Sequence, residues 1–457
     1  MPQNTGPGSP SVLGVLKTIF EQGVRTDINT RVPAWAAFAR EGTKMPTRAK
    51  THRFAIKGNI GNTARVYGEN DPCTGFAQCD VPPEYCTVDI NYKKIYVPYR
   101  VCNEVIQEAG TEGAMFDVLE QDLDDLVEQL VHLYERSIFT GDGGNVLFTL
   151  ADAGTDNGDG TFTYLVQWYG GLEAEELGVI MENLLLRNLH IQAAAALDGL
   201  PRANPGVQIT AFDSTMGTES ITTEGTLGPV VIGDIVYPSR EDTGGVQGSD
   251  EGLTGLPLLV DDWSRADPFQ SVTEDDCPSF SSRICDNGGE LRPLTEDILE
   301  QALAMAHARM AGTRKDSLSF QRHAFFANEF VARRFALELT ADRRFSAPNM
   351  FSKKGMKPMG GVDMEFLTYD GIPFITSPLA LRNTVFLVDL ANLVIVHNGP
   401  PEGQFLSAPG GPTVERVMCT PTFEYVWWAY MDFATRRRNG MVQIRDIAGM
   451  DECPPAT

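Results

Sequence analysis

The stretch FDVLEQDLDDLVEQLVHLYERSIFTGDGG, residues 116–144, carries the most regular pattern in the chain. Its apolar residues alternate three and four positions apart, which is typical of a helix with one buried face. We therefore predict a helix over residues 114–138, about 24 residues and hence ~36 Å long. The glycine-rich turn at 140–144 would end it. The predicted apolar face consists of Phe116, Leu119, Leu123, Leu126, Leu130 and Leu133.

The charge of the chain is unevenly distributed. The total is −24, yet residues 1–57 hold nine basic and three acidic residues, a local charge of +6. Between residues 104 and 135 there are ten acidic residues and no Lys or Arg. A basic arm and an acidic helix suggest complementary surfaces that meet within a subunit or between copies, although two separately solvated faces are an equally good interpretation. The acidic remainder argues against gripping nucleic acid through the main surface.

The regions before the long helix predict an arm and a hairpin. Residues 1–50 indicate an N-terminal arm with an amphipathic helix, and Pro33 marks a break before a second apolar stretch. Residues 51–98 alternate polar and apolar positions at both ends of a Gly/Asp/Pro-rich middle, which predicts an extended β-hairpin. Such a hairpin has too little apolar surface to be stable alone and needs a partner surface.

The regions after the long helix predict a mixed α+β body. Short β-prone runs alternate with turn residues over 205–260, which indicates a compact antiparallel β module. The polar, Pro/Asp-rich residues 261–292 predict a surface loop. Thr295 is a suitable N-cap for a helix that Gly312 would stop, and a second helix is predicted near 328–339. Two β-prone stretches and an aromatic, core-like C-terminal segment follow.

Motifs of enzymes and metal sites are missing from the sequence. It contains no phosphate-binding loop, nucleophile elbow, HExxH or dinucleotide fingerprint, so we predict no enzyme and no cofactor. Asp152, Asp156 and Asp159 form a weak candidate calcium loop, which lacks alternate-residue spacing and a terminal Glu. An acidic α/β enzyme that uses a pair of carboxylates for catalysis stays as an alternative function, from a different class of protein. The N-terminal sequence lacks a secretory-signal pattern and no apolar run is long enough to span a membrane, which disfavours a surface adhesin.

Three stretches of the chain resemble major capsid proteins of tailed double-stranded DNA phages. Residues 95–144, from IYVPYRVCNEVIQEAG to TGDGG, are similar to the segment that leaves the extended loop and forms the spine helix. LKTIFEQGVRTDINTRVPAWAAFARE (16–41) is similar to the N-terminal arm of that family. MEFLTYDGIPFITS and TVFLVDLANLVIV (364–396) resemble part of its axial domain. The order of these parts is more specific than any one of them.

The resemblance implies a Hong Kong 97-type capsid fold. Its parts would be an N-arm (1–50), an E-loop (51–98), a peripheral domain with the spine helix (99–204) and an axial domain returning to the peripheral domain (293–457). The β module at 205–260 would be an insertion, followed by the surface loop at 261–292. The resemblance does not extend to the family's chemical crosslink, because its lysine and asparagine cannot be matched here.

The function implied by the resemblance is self-assembly into hexamers and pentamers of an icosahedral phage head, with assembly in the host cytoplasm. Expected partners are other copies, a separate scaffolding protein, a portal and a decoration protein, with packaged DNA contacted only non-specifically. An encapsulin-like cargo shell with the same fold is the nearest alternative. Contacts between copies are expected to pair basic arm residues with the acidic helix: Arg25, Arg31 and Arg40 with Asp117, Asp124, Asp125 and Glu128.

Three of the eight cysteines, Cys73, Cys79 and Cys86, lie where the tip of the hairpin is expected. The simpler interpretation is three reduced thiols. The alternative is a disulfide between subunits, or a local clip, formed in an oxidising environment.

Overall fold

The computed structural model describes the larger part of the chain. The described residues are 24–29, 31–47, 51–57, 85–102, 127–128, 130–139, 148–168, 190–194, 207–213, 220–238, 252–264, 268–310, 322–342, 354–356, 364–405, 415–416 and 422–448. No helix within these ranges is long and apolar enough to cross a membrane.

The described ranges contain both helices and strands, in agreement with a chain of mixed secondary structure. The helices are Pro33–Glu41, Leu256–Leu259, Glu296–Met310 and Glu329–Asp342, a 3-10 turn spans Leu390–Asn392, and residues 24–29 and 130–139 are also helical. The strands in chain order are β1 Thr43–Pro46, β2 Thr51–Lys57, β3 Tyr85–Asn91, β4 Lys93–Cys102, β5 Phe148–Leu150, β6 Thr155–Asp156, β7 Phe162–Trp168, β8 His190–Ala194, β9 Val207–Asp213, β10 Ser220–Thr223, β11 Ile235–Pro238, β12 Arg283–Cys285, β13 His323–Asn328, β14 Lys354–Met356, β15 Met364–Phe366, β16 Thr368–Tyr369, β17 Ile372–Ser377, β18 Val385–Asp389, β19 Leu393–His397, β20 Gln404–Phe405, β21 Glu415–Arg416, β22 Thr422–Thr435 and β23 Val442–Ile444.

One sheet is organised around the long strand β22, and we call it the long sheet. β19 and β20 pair with β22, β1 adds to β19 in parallel, and β4 pairs with β22 antiparallel from Lys93 to Cys102. The side chains of Trp427, Met431 and Phe433 alternate along β22 and are fully buried in one core, to which the arm helix (Pro33–Glu41) and the spine segment (residues 130–139) also contribute. The N-terminal arm and the C-terminal part of the chain therefore share one core.

The arm helix has clear local causes for both ends. Pro33 occupies the first turn, where its missing N–H costs no hydrogen bond. At the other end the Gly42 amide donates to the Phe38 carbonyl at 2.8 Å. A Cβ on Gly42 would lie 2.5 Å from that carbonyl oxygen, so only glycine permits this approach. The predicted break at Pro33 is thus the start of a helix.

A second sheet has helices on one face. Its other face packs on the core that the arm helix, the spine segment and the long sheet share, which we call the first core. Its strand order is β12-β23-β18-β13-β17-β16. In β13, Phe325 packs in the core with helices Glu296–Met310 and Glu329–Asp342, while Phe326 packs in the core of the arm helix. All six residues of β13 are buried, as expected for a strand that is covered on both faces.

The predicted β module is larger than expected and lies at different residues. The sheet β10-β9-β8-β11-β5-β7-β6 spans residues 148–238, and an extra pairing of β10 with β7 closes it into a small antiparallel barrel. The interval 205–260 contains only three of its strands. Residues 255–260 are not a strand at all, because Pro257 starts the short buried helix Leu256–Leu259. Local β-propensity could not show that β5, β7 and β8 complete the barrel.

Two further boundaries differ from the sequence-based expectation. Residues 261–292 are not a surface loop, since Phe269, Val272 and Phe280 are buried in the first core. The predicted second hairpin strand is two strands: β3 pairs with β2, while β4 leaves the hairpin and joins β22. Of the predicted long helix, residues 114–126 lie outside the described ranges, and 127–128 and 130–139 are helical.

Candidate functional site

The arm helix is held to the spine segment and the long sheet by aromatic side chains. The ring centroid of Trp35 lies 5.1 Å from that of Tyr134 and 6.0 Å from that of Phe433. Phe38 packs edge-on against Phe433 at 5.3 Å and Phe326 at 5.4 Å. Aromatic pairs at these separations stabilise beyond their buried area, so this cluster holds the arm helix against the spine segment and the long sheet.

The turn between β19 and β20, residues 399–403, receives hydrogen bonds from the arm and the spine, and we call it the clasp turn. The Arg25 Nε donates to the Gly403 carbonyl at 2.9 Å. The Tyr134 hydroxyl donates to the Pro401 carbonyl at 3.2 Å. Burial raises the pKa of Tyr134, and the nearby Glu402 carboxylate raises it further, so this hydroxyl keeps its proton and its donor role at any physiological pH.

The clasp turn also binds β1 and fits tightly against β22. Lys44 Nζ lies 3.6 Å from a carboxylate oxygen of Glu402, whose side chain is largely buried. Gly403 has φ of +98°, and a Cβ there would collide with the Trp427 ring. Three N-terminal pieces, namely the helical residues 24–29, β1 and the spine segment, therefore meet at one turn from the last quarter of the chain.

The root of the β2–β3 hairpin rests on residues 268–285, which we call the buttress segment. The Asp89 amide donates to the Gln270 carbonyl at 3.1 Å, and the Gln270 side-chain amide donates to the Phe433 carbonyl at 2.8 Å. Val88 and Ile90 are buried in the first core. The hairpin is thus anchored at its base by backbone contacts and by apolar burial.

The outer face of the hairpin is polar and exposed. Arg53 Nε and Nη2 donate to the two carboxylate oxygens of Asp89 at 2.5 and 2.6 Å, and the Arg53 side chain is 69% exposed. This hydrogen bond lowers the pKa of Asp89 and raises that of Arg53. Tyr85, at the far end of β3, is 65% exposed. This face is available to another molecule.

A buried arginine ties the buttress segment to the C-terminal part of the chain. The Arg438 guanidinium lies 4.4 Å from the Phe269 ring centroid and 5.1 Å from that of Trp263. It donates to the Leu258 carbonyl at 2.8 Å and approaches Asp261 at 3.7 Å. Burial lowers the pKa of Arg438 to about 10, and Asp261 opposes that shift, so the group stays charged at pH 7. Aromatic rings on an otherwise polar loop were the signal in the sequence that this segment is core.

The residues predicted to make contacts between copies are only partly described. Arg25 bonds to its own clasp turn, and Arg40 forms an ion pair with Glu41 at 3.2 Å. Arg31 and Glu128 are exposed. The last three, Asp117, Asp124 and Asp125, lie outside the described residues. Within one chain the described contacts between arm helix and spine segment are aromatic, a feature that the charge pattern did not indicate.

The three aspartates of the candidate calcium loop bind their own backbone. Asp152 Oδ1 accepts from the amides of Gly154 and Leu165, at 3.1 and 2.9 Å. Asp156 and Asp159 accept in the same way from the amides two residues further on. Across the described ranges no three Asp, Glu, His or Cys side chains come together as metal ligands. The loop is a series of aspartate-capped turns, and the structure does not assemble the candidate site.

The cysteine pairing differs from both interpretations of the sequence. Cys86 forms a disulfide with Cys277 of the buttress segment, across a Cα–Cα distance of 6.4 Å. The sequence-based interpretations were three reduced thiols, a disulfide between subunits or a local clip, and none of them named a partner for Cys86 in the buttress segment. Cys73 and Cys79 lie outside the described residues. No spacing signal relates two cysteines 191 positions apart.

Comparison with known proteins finds similarity in structure alone. No protein-family model and no curated protein matches the chain. The fold is similar to the capsid asymmetric unit of cyanophage A-1(L), with 10% identity, 89% of this chain and 91% of the other covered, and a TM-score of 0.46. It is also similar to the capsid of a native GTA particle, with 8% identity, 90% of each chain covered and a TM-score of 0.39. A third similar structure is the holo-SrpI encapsulin of Synechococcus elongatus PCC 7942, with 9% identity, 92% of this chain and 90% of the other covered, and a TM-score of 0.37. Because these TM-scores are low, we base the function on this chain's own packing.

Proposed function

We propose that this chain is a shell-forming protein of the Hong Kong 97 type, and specifically the major capsid protein of a tailed double-stranded DNA phage. The observation that carries the proposal is the convergence of the arm helix, the hairpin root and the spine segment on the long sheet. In that arrangement the hairpin would be the E-loop and the sheet β12-β23-β18-β13-β17-β16, with its two helices, the axial domain.

The hairpin gives the physical reason for self-association. Among the described strands, β2 and β3 pair with each other alone, and a two-stranded ribbon is only marginally stable in water. Its root is buried, whereas Tyr85 and the Arg53–Asp89 pair are exposed. A neighbouring copy in a closed lattice would provide the missing surface once for every subunit.

Ion pairs between the arm of one copy and the acidic helix of the next remain part of the proposal. Because Arg25 and Arg40 already have partners in their own chain, Arg31 is the sharpest test. We expect Arg31→Glu to lower the salt concentration at which shells dissociate, since reversal replaces attraction by repulsion at every repeat. Arg333→Glu, a reversal of another exposed arginine, is the control. Equal dissociation of the two variants would contradict arm–helix pairing.

The remaining partners follow from the same proposal. A separate scaffolding protein, a portal and a decoration protein would complete the head, which assembles in the host cytoplasm and ends in the virion. Packaged DNA would be held by confinement and not by specific contacts, because a chain with a net charge of −24 repels phosphate.

The decisive experiment is light scattering after size-exclusion chromatography, with negative-stain microscopy of the purified full chain. Shells, or rings of five and six subunits, are expected. A monodisperse monomer or dimer at high concentration would reject the proposal and favour the acidic enzyme. The content of particles recovered from the native source separates the two kinds of shell: nuclease-protected double-stranded DNA supports a phage head, and a protein cargo supports an encapsulin-like compartment.

A further inference from the structure

The disulfide joins the outer end of β3 to the buttress segment, which the hairpin otherwise contacts nearer its base through a backbone hydrogen bond and apolar packing. Cys86 is near the outer end of β3, and Cys277 belongs to the buttress segment, 191 positions later. Between these two parts, a hydrogen bond joins the Asp89 amide to the Gln270 carbonyl, three positions along β3 from Cys86. The covalent bond is therefore the strongest connection at this point of the hairpin.

The two sulfur atoms differ in accessibility. Cys277 is 1% exposed and sits in a hydrogen-bonded turn, in which its amide donates to the Thr273 carbonyl at 3.1 Å and the Phe280 amide donates to its carbonyl at 2.9 Å. Cys86 is half-buried at the edge of the hairpin. One thiol is thus fixed in the body and the other lies at a surface that a small oxidant can reach.

We propose that Cys86 and Cys277 form a reversible staple that locks the outer end of β3 to the buttress segment. A small-molecule disulfide such as oxidised glutathione first exchanges with the Cys86 thiolate, which gives a mixed disulfide and releases one reduced thiol. The Cys277 thiolate then attacks Cys86 Sγ and displaces the second reduced thiol. The two cysteines lose two protons and two electrons, and the oxidant's sulfur–sulfur bond takes up both.

Closing the staple restricts how the hairpin moves on the body. Without it, β3 is tied to the body by the chain connection through Tyr92 into β4 and by the packing of Val88 and Ile90. With it, the outer end of β3 is fixed to the buttress segment as well, so separation of the two requires reduction. This inference concerns a single chain and stands whether or not the chain builds a shell.

The test compares the full chain after equilibration with oxidised glutathione or with dithiothreitol. Free thiols are blocked with N-ethylmaleimide, and peptides are mapped by mass spectrometry without reduction. We expect a linked peptide pair containing Cys86 and Cys277, present only after oxidation. Hydrogen exchange of the β3 amides should be at least about tenfold slower in the oxidised chain, because separation of β3 from the buttress segment then needs a larger fluctuation.

Two variants and one gel make the outcome decisive. Cys86→Ser, at the half-buried end, should abolish the difference in exchange between oxidised and reduced chain, while Cys285→Ala, at a buried free cysteine, should keep it. A linked pair without any change in exchange would overturn the locking role. Linkage of Cys86 to Cys73 or Cys79, or a covalent dimer on a non-reducing gel, would overturn the pairing itself.

Discussion

Replacement of the buried Arg438 by alanine should weaken the attachment of the buttress segment to the rest of the chain far more than replacement of the exposed Arg436 does. The side chain is completely buried and stacks on the rings of Phe269 and Trp263. Its guanidinium donates to the carbonyls of Leu258 and Leu259 at 2.8 and 3.3 Å. A single side chain therefore joins the short helix, the buttress segment and the C-terminal strand region.

The magnitude follows from what the substitution would leave behind. Asp261 is fully buried and would lose its ion pair with Arg438, while Arg445 at 3.9 Å and the Ser264 hydroxyl at 3.0 Å would still contact its carboxylate. Removing one member of a buried ion pair costs about 3–5 kcal/mol. A buried carbonyl that loses its donor adds about 1–3 kcal/mol. Because these losses overlap around one group, we expect Arg438→Ala to lower the local opening free energy by about 5 kcal/mol.

Native-state hydrogen exchange measures this free energy where it acts. The amides of Val260 and Ser282, which donate to the Leu256 and Asp261 carbonyls at 2.9 Å each, report opening of the region. Arg436→Ala is the matched control, since this exposed arginine lies two positions away and should change exchange by less than about 0.5 kcal/mol. Equal protection in the two variants would refute the view that the buried guanidinium holds the segment.

Three further predictions concern the long sheet and its clasp turn. Burial raises the pKa of Asp432 to about 6 from an ordinary 3.8, so the folded chain holds this proton more tightly than the unfolded chain. The stabilisation contributed by the protonated Asp432 is complete below about pH 4 and is lost as the pH rises through about 6. The melting temperature of D432N should therefore change less between pH 4 and pH 6 than that of the wild type. Trp35→Ala empties a fully buried site and should destabilise the arm by about 3–5 kcal/mol, which limited proteolysis would show as earlier cleavage of the arm. Gly403→Ala should lower the melting temperature because its Cβ meets the Trp427 ring, whereas Gly288→Ala, also at positive φ but in open space, should lower it less.

The helices of the body could be predicted from sequence because their signals are local. Helix Glu296–Met310 begins directly after Thr295 with two acidic residues in its first turn, and Glu329–Asp342 lies within a few residues of its predicted position. The division of the hairpin could not be predicted. The alternation of polar and apolar residues runs on through β3 and β4, and no local pattern shows that the pairing partner changes near Tyr92.

The pairing of arm arginines with the acidic helix stays a prediction. Charge patterning drew attention to the arm and the long helix, and in the described residues the arm helix packs on the spine segment and the long sheet through Trp35, Tyr134 and Phe433. Partners of a buried aromatic residue depend on the tertiary fold, and a single sequence contains no periodic signal for them. The same holds for Cys277, whose partner lies in a distant strand and shares no motif with it.

The pairing of β4 with β22 has a consequence for folding during synthesis on the ribosome. Tyr96 and Tyr430, whose hydroxyls are hydrogen-bonded across these strands, are 334 positions apart. At a synthesis rate of about 5–20 residues per second, β4 leaves the ribosome roughly 20–70 s before its partner exists. The clasp turn emerges almost as late, so the arm and hairpin of a nascent chain wait undocked until the last quarter has been made. Every newly made chain thus passes through an interval in which its N-terminal strands are open to chaperones, or to the strands of a neighbouring nascent chain.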